Sequence, residues 1–335
     1  MKNRVTLLFI LLLLLTATLF LCDIAVGSVS ISIKDILSVF CGTNSDPTIH
    51  SIVIEIRLVK AVVALLAGIA LSLSGLQMQT LFSNPLAGPY VLGVSAGASF
   101  GVALFLLGAP LIGLASSPLL SAIGTAGAAW IGAAAVLLIV IILSKRIKDI
   151  MVILILGMML SSALGAIVEI LQYLSNEAAL KSFVVWTMGS LGEVTLKELM
   201  IIVPIIAVGV ILAILTIKPL NIMLLGENYA KTSGINLSHT RATVFASTTL
   251  LAGTVTAFCG PVGFVGLAVP HLARMIFRTA DHKILLPASA TIGCLMLLVG
   301  DILAKILLLP INTITALMGI PIVVYIVIRN RNLLQ

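Results

Sequence analysis

Charge is what this chain has least of. Lys, Arg, Asp and Glu together make up 9% of its 335 residues, against about a quarter in a soluble globular domain. A surface wetted on all sides cannot be built from so little, which excludes an ordinary soluble protein. No Lys follows a Gly anywhere, so the G-x-x-x-x-G-K pattern is missing and the chain cannot hold ATP in that manner. The four cysteines, Cys22, Cys41, Cys259 and Cys294, never reach C-x-x-C spacing, which argues against a zinc or redox centre and leaves Cys22 with Cys41 as the sole disulfide candidate. Nothing in the composition calls for a metal or a cofactor.

What is present in excess is apolar: 60% of the residues are hydrophobic, in runs long enough to cross a bilayer of roughly 30 Å as helices. The first, Val5–Val26, follows Lys2 and Arg4. Its apolar core exceeds the roughly 7 to 15 residues of a signal peptide, so it reads as an uncleaved span. Further runs fall at Val59–Leu81, Val91–Leu107, Leu119–Leu143, Ile150–Leu174, Leu199–Ile217, Ala242–Phe258, Val262–Ile276, Ile284–Leu308 and Ile314–Ile328. The pattern predicts an all-α polytopic membrane protein of about ten spans, residues 1–335 forming a single transmembrane domain.

Ten spans place both termini on one side, and the distribution of Lys and Arg tests that. With the N-terminus cytoplasmic, the inner segments hold Lys2, Arg4, Lys145, Arg146, Lys148, Lys218, Lys231, Arg241, Arg274, Arg278, Lys283, Arg329 and Arg331, which is 13 of the 19 basic residues. The outer segments hold Lys34, Arg57, Lys60, Lys181, Lys197 and Lys305. The net charge of +7 is therefore a topology signal and not a nucleic-acid footprint. The expectation is a multi-pass protein of the cytoplasmic membrane with both ends inside. Spans two to five and seven to ten are offset by five, an odd number, so equivalent helices run in opposite directions and form an inverted repeat.

The run Gly93–Gly97, G-x-S-x-G, has the spacing of a serine-hydrolase elbow around Ser95. An elbow needs a preceding strand and a His and acid to complete a triad. Ser95 instead opens the third span among small residues, the composition by which membrane helices approach closely. His50, His239, His271 and His282 all fall in or beside loops and offer no triad.

Three stretches break their spans with Pro and Gly: "SNPLAGP" (83–89), "CGPVGFVGLAVPHLAR" (259–274) and "LLPINTITALMGIP" (308–321). Backbone freed from its helical ladder is tolerated in a membrane only where protein or a water-filled path satisfies it, so three such breaks favour a transport pathway. The same stretches, with "RLVKAVVALLAGIALSLSGLQMQTLFSNPLAGPYVLGVSAGAS" (57–99), "LGENYAKTSGIN" (225–236) and "DHKILLPASA" (281–290), resemble the permease subunit of FecCD-type importers for iron–siderophore, haem or cobalamin. The resemblance spans 57–331. The chain departs from the family's pattern at Val59 and Lys60, where R-L-P-R is common, and at Gly88 and Leu308, where acidic residues are common.

The resemblance implies a subunit that is not itself an enzyme and that pairs with a second permease copy, most simply as a homodimer, around a central pathway. Two cytoplasmic ABC ATPase subunits power it, and a periplasmic or lipid-anchored substrate-binding protein delivers a metal chelate, a ferric siderophore first and haem or cobalamin next. It implies an ATPase-coupling segment at about 218–241, with Gly226, Glu227, Ala230 and Gly234 at the matching positions. Asn84 and Leu86 match a cytoplasmic gate, with Ile150 and Met151 as its second half, and Arg57, Lys60 and Lys305 match positions that dock the binding protein. The alternative is a stand-alone transporter driven by an ion gradient, which would place ionisable groups inside its spans. Only Glu169 and Asp301 approach that description, both near predicted outer ends.

Overall fold

A chain this apolar satisfies its backbone groups within helices, because the bilayer offers no competing partner. The computed structural model describes residues 2–27, 29–43, 46–111, 118–147 and 149–329. Lys148 and Arg331, both counted in the topology argument, lie outside them. No strand occurs among the described residues.

In chain order, α1 (Lys2–Ala25) is followed by short α2 (Ile33–Phe40) and α3 (Pro47–Ser51), and a π-helical stretch at Ile52–Leu58 leads into α4 (Val59–Leu81). Then come α5 (Val94–Ala103), extended through a π-stretch at Leu104–Gly108 into α6 (Ala109–Leu111), and α7 (Pro118–Arg146), broken at Gly124. After α8 (Ile150–Leu174), α9 (Glu177–Thr187) and α10 (Leu196–Leu215), the short helices α11 (Ile217–Met223) and α12 (Glu227–Thr232) form a connection. Helix α13 (Leu237–Thr248) continues through a third π-stretch, Thr249–Gly253, into α14 (Thr254–Cys259). The chain finishes with α15 (Val265–Phe277), α16 (His282–Leu307) and α17 (Ile311–Arg329).

Each of the ten apolar runs lies mainly on helix, and among the described residues seven helical segments are long and apolar enough to cross a membrane. Helix α9, with α2 and α3, was not among the expected elements. Polar caps fix where several helices start: Asp149 accepts from the Met151 N–H before α8, and Asn176 from Ala179 before α9. A reciprocal Thr195–Glu198 box opens α10. Each cap satisfies amide groups that the first helical turn leaves without partners.

Helix α4 is the axis of the bundle, buried along most of its length. It packs on α16 and α15, while α13–α14 packs on α7 and α5; α5 with α7 matches α15 with α16. These are equivalent pairs under the offset of five spans, the arrangement an inverted repeat demands. Small residues make the seams. A Cβ on Gly97 would stand 2.6 Å from the Gly132 carbonyl oxygen, so α5 and α7 touch through their backbones. The small-residue run around Ser95 is thus a packing surface, with Gly93 in a left-handed conformation before α5 and no strand ahead of it. Helices α1 and α8 keep most of their apolar side chains on the outside of the subunit.

Candidate functional site

The three broken stretches meet. After α4, Ser83 takes a φ of 47° and the chain runs without regular helix to Gly93. After α14, Gly260 (φ 73°) opens a second irregular turn that ends at Phe264 (φ 65°), and Leu308 (φ 55°) ends α16 before the third. The Tyr90 hydroxyl of the first stretch donates to the Val262 carbonyl of the second at 3.1 Å. The Gly263 N–H donates to Asn312 Oδ1 of the third at 2.9 Å. Freed backbone groups thus find partners in one another's breaks. An aromatic residue in the left-handed region costs on the order of 1–3 kcal/mol. Phe264 is held there against Gly319 of α17, where any side chain would overlap its Cβ.

The last turns of α4 form a polar hub beside the first break. Gln77, Gln79 and Thr80 are buried, and buried polar groups are tolerated only when paired. Gln77 donates to Thr216 Oγ1 at 3.1 Å, between α10 and α11, and accepts from Ser247 Oγ of α13 at 3.0 Å. Gln79 donates to the Leu267 carbonyl at 3.1 Å and accepts from Arg274 of α15 at 2.5 Å. Thr80 Oγ1 lies 2.9 Å from His282 Nε2. The other ring nitrogen of His282 and its backbone N–H lie 2.7 and 2.8 Å from Asn221 Oδ1. Asn221 in turn donates to Asp281 Oδ1 at 2.6 Å.

Asp281 caps α16, and the Lys283 N–H and the Asn221 amide hold its carboxyl below the usual carboxylate range. His271, inside α15 rather than at a loop, donates through Nε2 to the Pro85 carbonyl at 2.7 Å.

Asn84 and Leu86 sit in the first break, where Asn84 Oδ1 accepts from the Leu86 N–H at 2.9 Å and leaves the Leu86 side chain exposed. Ile150 and Met151 open α8, Met151 exposed and Ile150 half-buried. In the connection formed by α11 and α12, Gly226 (φ 102°) starts α12 and Gly234 (φ 82°) ends it in a left-handed turn, where Ile235 N–H returns to the Ala230 carbonyl at 3.0 Å. Glu227 pairs with Arg241 at 2.6 Å and stays partly exposed. Ala230 is different. It is fully buried in the apolar cluster that holds Leu220 and Met223, where its small side chain serves the packing of the segment.

Lys60, Lys305 and Arg57 are all engaged within the subunit, Arg57 most deeply. Arg57 is buried, and its guanidinium donates to the carbonyls of Ile24 (3.1 Å), Ala25 (3.0 Å) and Val29, closing the end of α1. Lys60 meets Asp301 at 3.0 Å. Lys305 meets Asp23 at 2.8 Å and Asp301 at 2.9 Å. A pairing of two ammonium and two carboxylate groups therefore lies between α1, α4 and α16, and of the trio only Lys60 keeps a fifth of its side chain exposed. Glu169 faces outward from α8. Cys22 and Cys41 are both free.

Sequence reasoning missed the hub itself: Gln77, Gln79, Thr80, Asn221, Arg274 and His282. The available signal was the "QMQT" run inside an apolar span, since polar residues within a membrane span are costly and usually functional.

Residues 12–329 match the FecCD transport family. The hemin transport system permease protein HmuU of Yersinia pestis is 33% identical, the match covering 96% of this chain and 95% of HmuU. The molybdate import system permease protein MolB of Haemophilus influenzae is 34% identical, covering 93% and 91%. The vitamin B12 import system permease protein BtuC of Citrobacter koseri is 34% identical, covering 83% of each chain. A solved structure of an inward-facing metal-chelate type ABC transporter superposes with a TM-score of 0.81 at 30% identity, over 94% of this chain and 97% of that one.

Proposed function

Because this chain belongs to the FecCD transport family of ABC-importer permeases, we propose that it forms, with a second copy of itself, the membrane pathway for a metal chelate, a ferric siderophore first and haem or cobalamin next. A separate pair of ABC ATPases docks on 218–241 in the cytoplasm, where both termini also lie. A binding protein delivers the cargo to the opposite end. The observation that carries this reading is the convergence of the three broken stretches through Tyr90, Val262, Gly263 and Asn312, beside a hub that joins α11 and α13 to the first break. A pathway needs irregular backbone where it opens and closes, and a drive needs a solid connection to it.

Asn84 and Leu86 form the inner gate in this account, with Ile150 and Met151 opposite. The outer faces of Gly226, Glu227 and Gly234 receive the ATPase, while Ala230 supports them from within. Lys60 is the member of the basic trio left to touch the binding protein. Support for a chelate comes from the similar proteins named for hemin, vitamin B12 and a metal chelate; the molybdate permease makes an oxyanion the comparison to run. The test is uptake by cells expressing the chain with its ATPase and binding protein, given labelled ferric siderophore, haemin, cobalamin or molybdate in turn. Iron–siderophore accumulation is expected, and accumulation of molybdate alone would overturn the cargo assignment.

A further inference from the structure

Deepening the reading above, and resting on it, we propose that Asn221 and His282 are positioning residues that transmit the state of the ATPase-coupling segment to the gate loop. The connection is unbroken. Asn221 lies on α11, within 218–241. Its Oδ1 takes both the backbone N–H and the ring Nδ1 of His282, at 2.8 and 2.7 Å. Its amide nitrogen therefore faces Asp281 Oδ1, at 2.6 Å. Two donors on one side and a carboxylate on the other fix the orientation of the amide.

His282 is 1% exposed and spans from Asn221 to Thr80, whose Oγ1 lies 2.9 Å from Nε2 and 3.1 Å from the Leu76 carbonyl. Immediately beyond Thr80, the Ser83 N–H returns to the Thr80 carbonyl at 3.2 Å and the Asn84 N–H to the Gln79 carbonyl at 3.1 Å. Three side chains thus bridge α11 to the backbone that positions Asn84 and Leu86.

Apolar contacts between membrane helices slide easily, since lipid is as apolar as the partner helix. A buried hydrogen-bond chain does not, because each link broken leaves a polar group unsatisfied. When docking shifts α11, the end of α4 must follow or lose those bonds. Asn221, His282 and Thr80 should therefore control how the gate loop responds to docking.

The test uses the transporter assembled with its ATPase and binding protein in lipid vesicles, with Cys22 and Cys41 replaced by Ser and Leu86→Cys as reporter. A membrane-impermeant maleimide measures the labelling rate at position 86 without nucleotide and with ATP plus vanadate. The nucleotide-dependent change in rate should fall about fivefold or more in Asn221→Ala, His282→Ala and Thr80→Val, the scale of a typical coupling between sites. In His282→Ala and Thr80→Val, which lie outside 218–241, ATPase activity per assembled complex should stay within about twofold of its starting value, below the usual range of such couplings.

Thr80→Val keeps shape and removes one hydroxyl, so it reports even where the other two variants fail to assemble. Asn221→Asp keeps the acceptor toward His282 but sets a second carboxylate against Asp281, whose Oδ1 already takes the Lys283 N–H, and should lose the response as Asn221→Ala does. A full nucleotide response in Thr80→Val, Asn221→Ala or Asn221→Asp would overturn the proposal. If the starting protein shows no nucleotide response, the importer reading fails instead of the relay.

Discussion

Arg57 gives the sharpest separation between a surface charge and a structural one. The last carbonyls of a helix have no partner within it and carry the negative end of its dipole. At the end of α1 the Arg57 guanidinium supplies that partner twice, to Ile24 and Ala25, and donates to a third carbonyl, that of Val29, just beyond the helix. Hydrogen bonds from a charged donor contribute about 1.5–3 kcal/mol each. Arg57→Ala will not lose all three in full, because the guanidinium's own desolvation cost disappears with it and water can reach carbonyls next to the exposed Val29.

A net loss of about 2–3 kcal/mol follows. At about 2–4 °C per kcal/mol for a chain of a few hundred residues, the thermal midpoint in detergent should fall by about 4–12 °C. Arg57→Lys keeps the charge but cannot span three carbonyls with a planar fork, and should lose roughly half as much. If Arg57 instead served only to dock a partner, Arg57→Lys and Arg57→Ala would both melt with the starting protein and differ only in binding-protein affinity. That result would refute the capping argument.

Other substitutions test neighbouring parts of the account. Asp301→Ala leaves Lys60 without a partner and Lys305 with Asp23 alone, so it should destabilise by about 3–5 kcal/mol in a denaturation assay; adding Lys60→Met should recover part of that, since it removes the stranded charge. Gly97→Val would force α5 and α7 apart at the Gly132 carbonyl, an overpacking cost of about 1–3 kcal/mol or more, visible as lower yield of folded protein on size exclusion. Glu227→Gln removes a partly exposed pair with Arg241 and should cost under about 1 kcal/mol of stability, while weakening co-purification of the ATPase through a loosened α12.

The long helices were legible because each is an apolar run that lipid selects for on composition alone, and the breaks were legible because Pro and Gly punctuate those runs. That the three breaks would touch was not, since Tyr90 and Val262 lie 172 residues apart and no local pattern links them. The polarity of 218–241 kept it out of the spans, but the direction of Ala230 was not legible, because a small residue suits a crowded interior as well as an open surface. That Arg57 and Lys305 would be largely buried was not legible from their positions at helix ends. Their carbonyl and carboxylate partners come from α1, whose sequence around Asp23 reads as a plain span. Gln77, Gln79 and Thr80 stood in view, but single polar residues reveal their roles only when the facing helices are known.

The central claim is that this subunit moves cargo by coupling to a separate ATPase. The most direct measurement is uptake of the cargo identified in cells into vesicles holding the chain, its ATPase and its binding protein, with and without ATP inside the compartment that the ATPase faces. Uptake should require ATP and all three components, and should vanish when the ATPase carries an inactivating substitution at its catalytic carboxylate. Uptake by the chain alone, driven by an imposed ion or proton gradient and indifferent to ATP, would contradict the account and assign the chain to gradient-driven transport.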